Sequence, residues 1–198
     1  MGRRKSYDRD AVLDRAMRLF WARGFHAAST RDLAAAMGIN VYSLYAEFGS
    51  KDGLYSAALE RYGGTVMTQH FGPLESDAAG LADVLAVLDF FGHHAPVDNP
   101  LLGCLGMQGI AEQAPAGPTS RAAGKVYLER LRGAFAHALG RAVDAGELSR
   151  DAPVRDLSDA MAVTLLGVFV ALRAGAEPAL FAHATDQARA RLLGFATG

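Results

Sequence analysis

Apolar residues recur at helical spacing along almost the whole chain. Over 8–23, Val12, Ala16, Leu19 and Phe20 fall at i, i+4, i+7 and i+8, one stripe on one face. Asp8 and Asp10 suit the positive end of that helix, and Gly24 supplies a stop. Further helices are predicted over 30–37, 41–48 and 51–67, the last bent or weakened at Gly63 and Gly64. Beyond a Gly72, Pro73 break, the pattern predicts helices over 77–94, 103–113, 119–145, 151–175 and from 178 onward. The fold class is all-α with about nine helices. The break covers 71–76, and a boundary placed between 61 and 76 divides the chain into an amino-terminal domain, 1–62, and a carboxy-terminal domain, 63–198.

The stretch 29–51, STRDLAAAMGINVYSLYAEFGSK, has the most detailed local signals. Ser29 caps a short helix, and Asp32 completes a Ser-x-x-Asp arrangement resembling a capping box. Leu33, Ala34 and Met37 face inward; Gly38 tolerates the positive φ of a tight turn; Asn40 caps the next helix. Leu44 and Phe48 at i and i+4 turn that second helix inward, leaving Val41, Tyr42, Ser43 and Ala46 outward or flanking near its amino end. Two short helices about such a turn form a helix-turn-helix, whose second helix enters the major groove amino end first. Lys51 lies in the first turn of the following helix, where the dipole disfavours a cation. A phosphate partner would account for it.

Charge strengthens this picture. Net charge is only −1, but residues 1–51 hold nine basic and five acidic residues, against 11 and 16 in the remainder. A basic first quarter on an acidic body fits one part that meets a polyanion. Hydrophobic residues make up 51% of the chain, enough for a sizeable core. One cysteine permits no intramolecular disulfide. The start of the chain lacks a signal-peptide core, and the longest apolar run, 161–172, is shorter than the roughly 20 residues a bilayer span takes. A soluble cytoplasmic protein is expected. Because 161–172 is apolar on nearly all sides and Phe181, Ala184, Ala188, Leu192 and Phe195 form a seam, a homodimer is expected through the last two helices, using Met161, Leu165, Val168, Leu172, Phe181, Ala188 and Leu192.

Thr30, Arg31, Asp32, Leu33, Ala34, then Met37, Gly38, Ile39, then Ser43, Leu44, Tyr45, then Phe48, Gly49, Ser50, Lys51 with Leu54 resemble the signature of the tetracycline-repressor (TetR) family. Ala16, Leu19, Phe20, Gly24 and Phe25 match it in kind and spacing, so the likeness covers 8–62. It implies an all-helical homodimer with an amino-terminal DNA-binding domain and a ligand-responsive carboxy-terminal domain. It gives Thr30 and Arg31 backbone or edge-base contacts, and makes Val41, Tyr42, Ser43 and Ala46 recognition positions. Tyr45 and Lys51 become phosphate clamps, with Arg3, Arg4 and Lys5 of the basic tail adding phosphate contacts. Glu47 departs from the family, which usually has a neutral or basic group there. An acid beside DNA repels phosphate unless it accepts from a cytosine amino group. The implied partners are double-stranded operator DNA, a small-molecule effector and a second copy, with no membrane partner.

In the carboxy-terminal part, Phe90, Phe91, His94, Cys104, Met107, Gln108, Tyr127, Phe135 and Phe169 are the candidate effector-pocket residues. Pro100 to Leu105 with Glu112 resembles a branch of the family in which some members sense electrophiles or oxidants through the cysteine, here Cys104. That gives the alternative of a thiol-switched repressor. A helical enzyme is the remaining alternative, but no convergent catalytic set accompanies it. His93 and His94 point about 100° apart on a helix, poor for a shared metal, and Gly124, Lys125 lacks the Ser/Thr of a phosphate loop. No metal or cofactor is expected.

Overall fold

A computed structural model of the protein describes residues 7–94, 103–111 and 118–197. Among them, helices follow one another in the order α1 (Arg9–Ala27), α2 (Thr30–Met37), α3 (Val41–Phe48), α4 (Lys51–Tyr62), α5 (Thr68–Phe71), α6 (Leu81–Asp89), α7 (Leu105–Ala111), α8 (Pro118–Asp144), α9 (Val154–Arg173) and α10 (Pro178–Leu193). No strand occurs among the described residues; a single bridge pairs Leu148 with Ala196. Two wide π turns interrupt the regular helices, Gly63–Met67 and Phe90–His94. The first lies where the two glycines weaken the run; nothing in the sequence pattern marks the second.

Two compact units result, Met1–Thr65 with Leu105–Gly124, and Val66–Cys104 with Lys125–Gly198. The segment 105–124, expected with the second part, therefore clusters with the first.

In the first unit, α1 packs on α2, α4 and α7. Its fully buried Phe20 meets Tyr55 of α4 edge-on at 4.9 Å, and Trp21 meets Tyr62 at 5.0 Å. Gly24 adopts φ 84°, and this kink within α1 turns Phe25 back against Phe20. Arg61 donates from Nε and Nη2 to the two oxygens of Asp14 at 2.8 and 2.9 Å, and from Nη1 to Asp10 at 3.0 Å. That fork holds the Asp14 carboxyl below the usual range and clamps α4 to α1.

In the second unit, α10 packs on α6, α9 and the π turn Phe90–His94. A Cβ on Gly92 would lie 2.0 Å from Thr185 Oγ1, so only glycine allows this approach. His93 Nε2 stands 3.1 Å from Asp186 on α10. Arg130 of α8 forks onto Glu75 at 2.6 and 2.8 Å, and Arg132 reaches Asp159 of α9 at 2.6 Å. α9 begins at Val154 after Pro153, with no side-chain cap, and Asp151 just before it accepts from Ser149 Oγ.

The expected interface positions require correction. Met161, Leu165, Val168 and Leu172 on α9, with Phe181 and Leu192 on α10, are buried within the single chain, and Ala188 is half-buried. The first six form core, not surface, whereas Ala188 keeps part of its surface open. The face that α9 turns outward carries Val163, Gly167 and Val170, and Leu180 is exposed on α10.

Candidate nucleic-acid interface

The α2–α3 unit is built by its caps. The amide of Asp32 donates to Ser29 Oγ at 3.1 Å, and the amide of Ser29 donates to the Asp32 carboxylate at 3.3 Å, a complete capping box. Gly38 takes φ 70° and closes α2 by donating to the carbonyls of Ala34 and Ala35. Arg15 Nη2 donates to the carbonyl of Met37 at 3.0 Å, tying that end to α1. Asn40 Oδ1 then accepts from the Ser43 amide at 2.7 Å and starts α3. Leu44, with no exposed surface, sets the rotation of α3.

That rotation places Tyr42 outward with 82% of its surface exposed, beside exposed Tyr45 and Ala46 and half-buried Val41 and Ser43. Arg31 is exposed and Thr30 half-buried at the start of α2. Lys51 is half-buried, its ammonium 4.5 Å from the centre of the Phe25 ring and 3.5 Å from the His26 carbonyl. Ring and carbonyl hold a cation at the start of α4 against its dipole. Arg3, Arg4 and Lys5 lie outside the described residues.

Glu47 differs from its expected place among the DNA-facing groups. Its side chain is only 10% exposed, and both carboxylate oxygens are engaged: Arg9 Nε donates to Oε1 at 3.1 Å and Tyr7 OH to Oε2 at 3.3 Å. Both partners sit near the start of α1, 38 and 40 positions away in sequence, beyond the reach of local pattern.

In the second unit, three of the expected pocket residues come together. Phe91 contacts Phe90 at 5.1 Å and Phe169 at 5.1 Å between ring centres. Two residues absent from the expected set join them: His70 lies 5.0 Å from Phe90 and 5.6 Å from Phe91, and Phe71 stacks on Phe91 at 5.7 Å. Burial pushes the His70 imidazole below its ordinary pKa. Phe71 falls in the break predicted over 71–76 from Gly72 and Pro73, and His70 lies between that break and the helix predicted over 51–67. Phe135 and Tyr127 are buried, while His94 is exposed beside Asp89 at 3.2 Å. Cys104 is buried, which shelters its thiol. Met107 and Gln108 belong to the first unit. A separate open groove of about 450 Å³ between α8 and α9 is lined by Glu129, Arg132, Ser158 and Asp159, and shares none of the expected pocket residues. Among the described residues no three metal-ligating side chains cluster, and no helix is long and apolar enough to cross a membrane.

Residues 12–58 match the model of bacterial regulatory proteins of the tetR family. The HTH-type transcriptional regulator YezE of Bacillus subtilis is 32% identical over 160 residues, covering 75% of this chain and 77% of YezE. The chain belongs to the TetR family. The repressor ComR of Escherichia coli is 43% identical over 90 residues, 46% of this chain, and the match spans 42% of ComR. The TetR-family regulator CifR, solved as a cysteine mutant complexed with 26-base-pair double-strand operator DNA, superimposes with a TM-score of 0.82 at 28% identity. That superposition covers 94% of this chain and 97% of CifR. In this TetR-family chain the matched segment coincides with the capped α2–α3 unit and the helices that brace it.

Proposed function

We propose that the protein is a cytoplasmic, ligand-responsive transcriptional repressor that binds a near-palindromic DNA operator as a homodimer. The observation that carries this is Tyr42, projecting into solvent at the amino end of a helix whose opposite face is locked by Leu44. With Val41, Ser43 and Ala46 it forms the base-facing surface; Thr30, Arg31, Tyr45 and Lys51 flank it as phosphate partners. CifR, bound to operator DNA, supports the same use of this fold.

The outward Val163, Gly167 and Val170 of α9, with Leu180 of α10, make the self-complementary face of a two-fold dimer. Two copies of α3 then meet major grooves about 34–36 Å apart. The effector is a small molecule with an apolar or aromatic body, received beside Phe90, Phe91 and Phe169, with His70 as a polar neighbour. It lowers operator affinity by favouring a subunit arrangement with the wrong α3 spacing. Selection from random duplexes tests the reading. An inverted repeat with half-sites about one helical turn apart is expected. Enrichment of no sequence would contradict it.

A further inference from the structure

We propose that Glu47 is a positioning residue for DNA binding: it holds Arg9 at the start of α1 so that the guanidinium serves as a phosphate contact. The inference rests on the DNA-binding reading of α3. A carboxylate on the last turn of a groove-entering helix should weaken binding by repelling phosphate, or else read a cytosine amino group. The structure fits neither role. Both oxygens of Glu47 are taken by groups from α1 and its approach, Arg9 Nε at 3.1 Å and Tyr7 OH at 3.3 Å. The side chain retains 10% of its surface, so little of the carboxylate is available to a base.

Arg9 is the other half of the device. Its guanidinium also lies over the Phe48 ring, 5.7 Å from the centre, and 52% of its side chain remains open to solvent. Carboxylate and ring fix one edge of the fork, and the open part faces outward. A flexible arginine loses side-chain freedom when it grips a phosphate; one already held loses less. Tyr7 ties the approaching backbone to the same carboxylate. The acid that departs from the family pattern is thus neutralised within the protein and orients a cation.

The two roles predict opposite signs. If Glu47 only repels phosphate, Glu47→Ala raises affinity for a duplex selected by the wild-type protein. If it positions Arg9, Glu47→Ala lowers affinity about fivefold at roughly 0.15 M salt, the worth of one phosphate contact, and the slope of log K against log salt shrinks by about 0.9. Arg9→Ala should lower affinity similarly. In the Arg9→Ala background, Glu47→Ala should cost nothing further or raise affinity. Glu47→Gln, which keeps an acceptor for Arg9 Nε, should fall between wild type and Glu47→Ala while keeping the wild-type sequence preference. Thermal unfolding of each variant separates loss of positioning from loss of fold, and the double variant carries the test if Glu47→Ala is unstable. Equal or higher affinity of Glu47→Ala, additive losses in the double variant, or a changed base at one selected position with Glu47→Gln would each overturn the proposal. A wild-type protein that enriches no duplex would overturn the DNA-binding reading along with it.

Discussion

α3 and α9 both turn a helix face into solvent, and the two faces differ in kind. The outward side of α3 carries two phenols, those of Tyr42 and Tyr45, with Ala46 and the half-buried hydroxyl of Ser43, and Arg9 reaches its last turn at Glu47 and Phe48. The outward side of α9 carries Val163, Gly167 and Val170, with the exposed Asp156 seven residues before Val163 on the same face. Tyr42 is 82% exposed and Val170 64% exposed, so exposure alone does not separate them. The chemistry does. Hydroxyl groups and cations on a basic unit match a polyanion, whereas valines around a glycine match another apolar surface approached closely. The outward side of α3 suits a polyanion, and the outward side of α9 suits, in the proposed dimer, a second copy of the chain.

The largest effect should come from placing charge on the α9 face. In the proposed two-fold interface, Val170→Asp would place two like charges, at a cost of several kcal/mol, about 3 or more. Sedimentation equilibrium should show monomers, and operator affinity should fall more than about 100-fold. Because Val170 is exposed in the single chain, the stability of the monomer should change by no more than about 0.5 kcal/mol. A stable dimer of Val170→Asp would place the interface elsewhere.

Leu165, on the opposite face of the same helix, sharpens the contrast. It is fully buried in one chain, so Leu165→Ala should destabilise folding by about 2–5 kcal/mol in chemical denaturation. If Leu165→Ala weakened only self-association, the two faces of α9 would have been exchanged.

The smallest effect concerns His70. Burial favours its neutral form in the folded protein, so the folded pKa lies below the unfolded one. Stability tied to His70 is then fully present above the unfolded value of about 6.5, and is lost as pH falls from there toward the folded pKa. His70→Gln should flatten this slope. An unchanged pH profile would place the titration elsewhere.

What could be read in advance follows the range of the interactions. The caps at Ser29 and Asn40 and the turn at Gly38 were legible because each acts within about four residues. Leu33, Ala34 and Leu44 were legible because a periodic pattern marks them. The partners of Glu47 were not, since 38 to 40 residues separate them from it. On α9 the pattern failed for a different reason. The run 161–172 is apolar on nearly every side, so periodicity could not distinguish the core row of Leu165 and Val168 from the outward row of Val163 and Val170. Phe71 was hidden by its neighbours Gly72 and Pro73, which read as a break although the helical path continues as a 3-10 turn over Gly72–Glu75.

The central claim is that the outward face of α3 reads DNA sequence. Tyr42→Ala tests it most directly, measured by equilibrium binding to the selected operator and to random duplex at one salt concentration. The account predicts a loss of about 10- to 100-fold on the operator, with random-duplex binding nearly unchanged. Equal losses on both duplexes would contradict it, and would reduce Tyr42 to a clamp on the phosphate backbone.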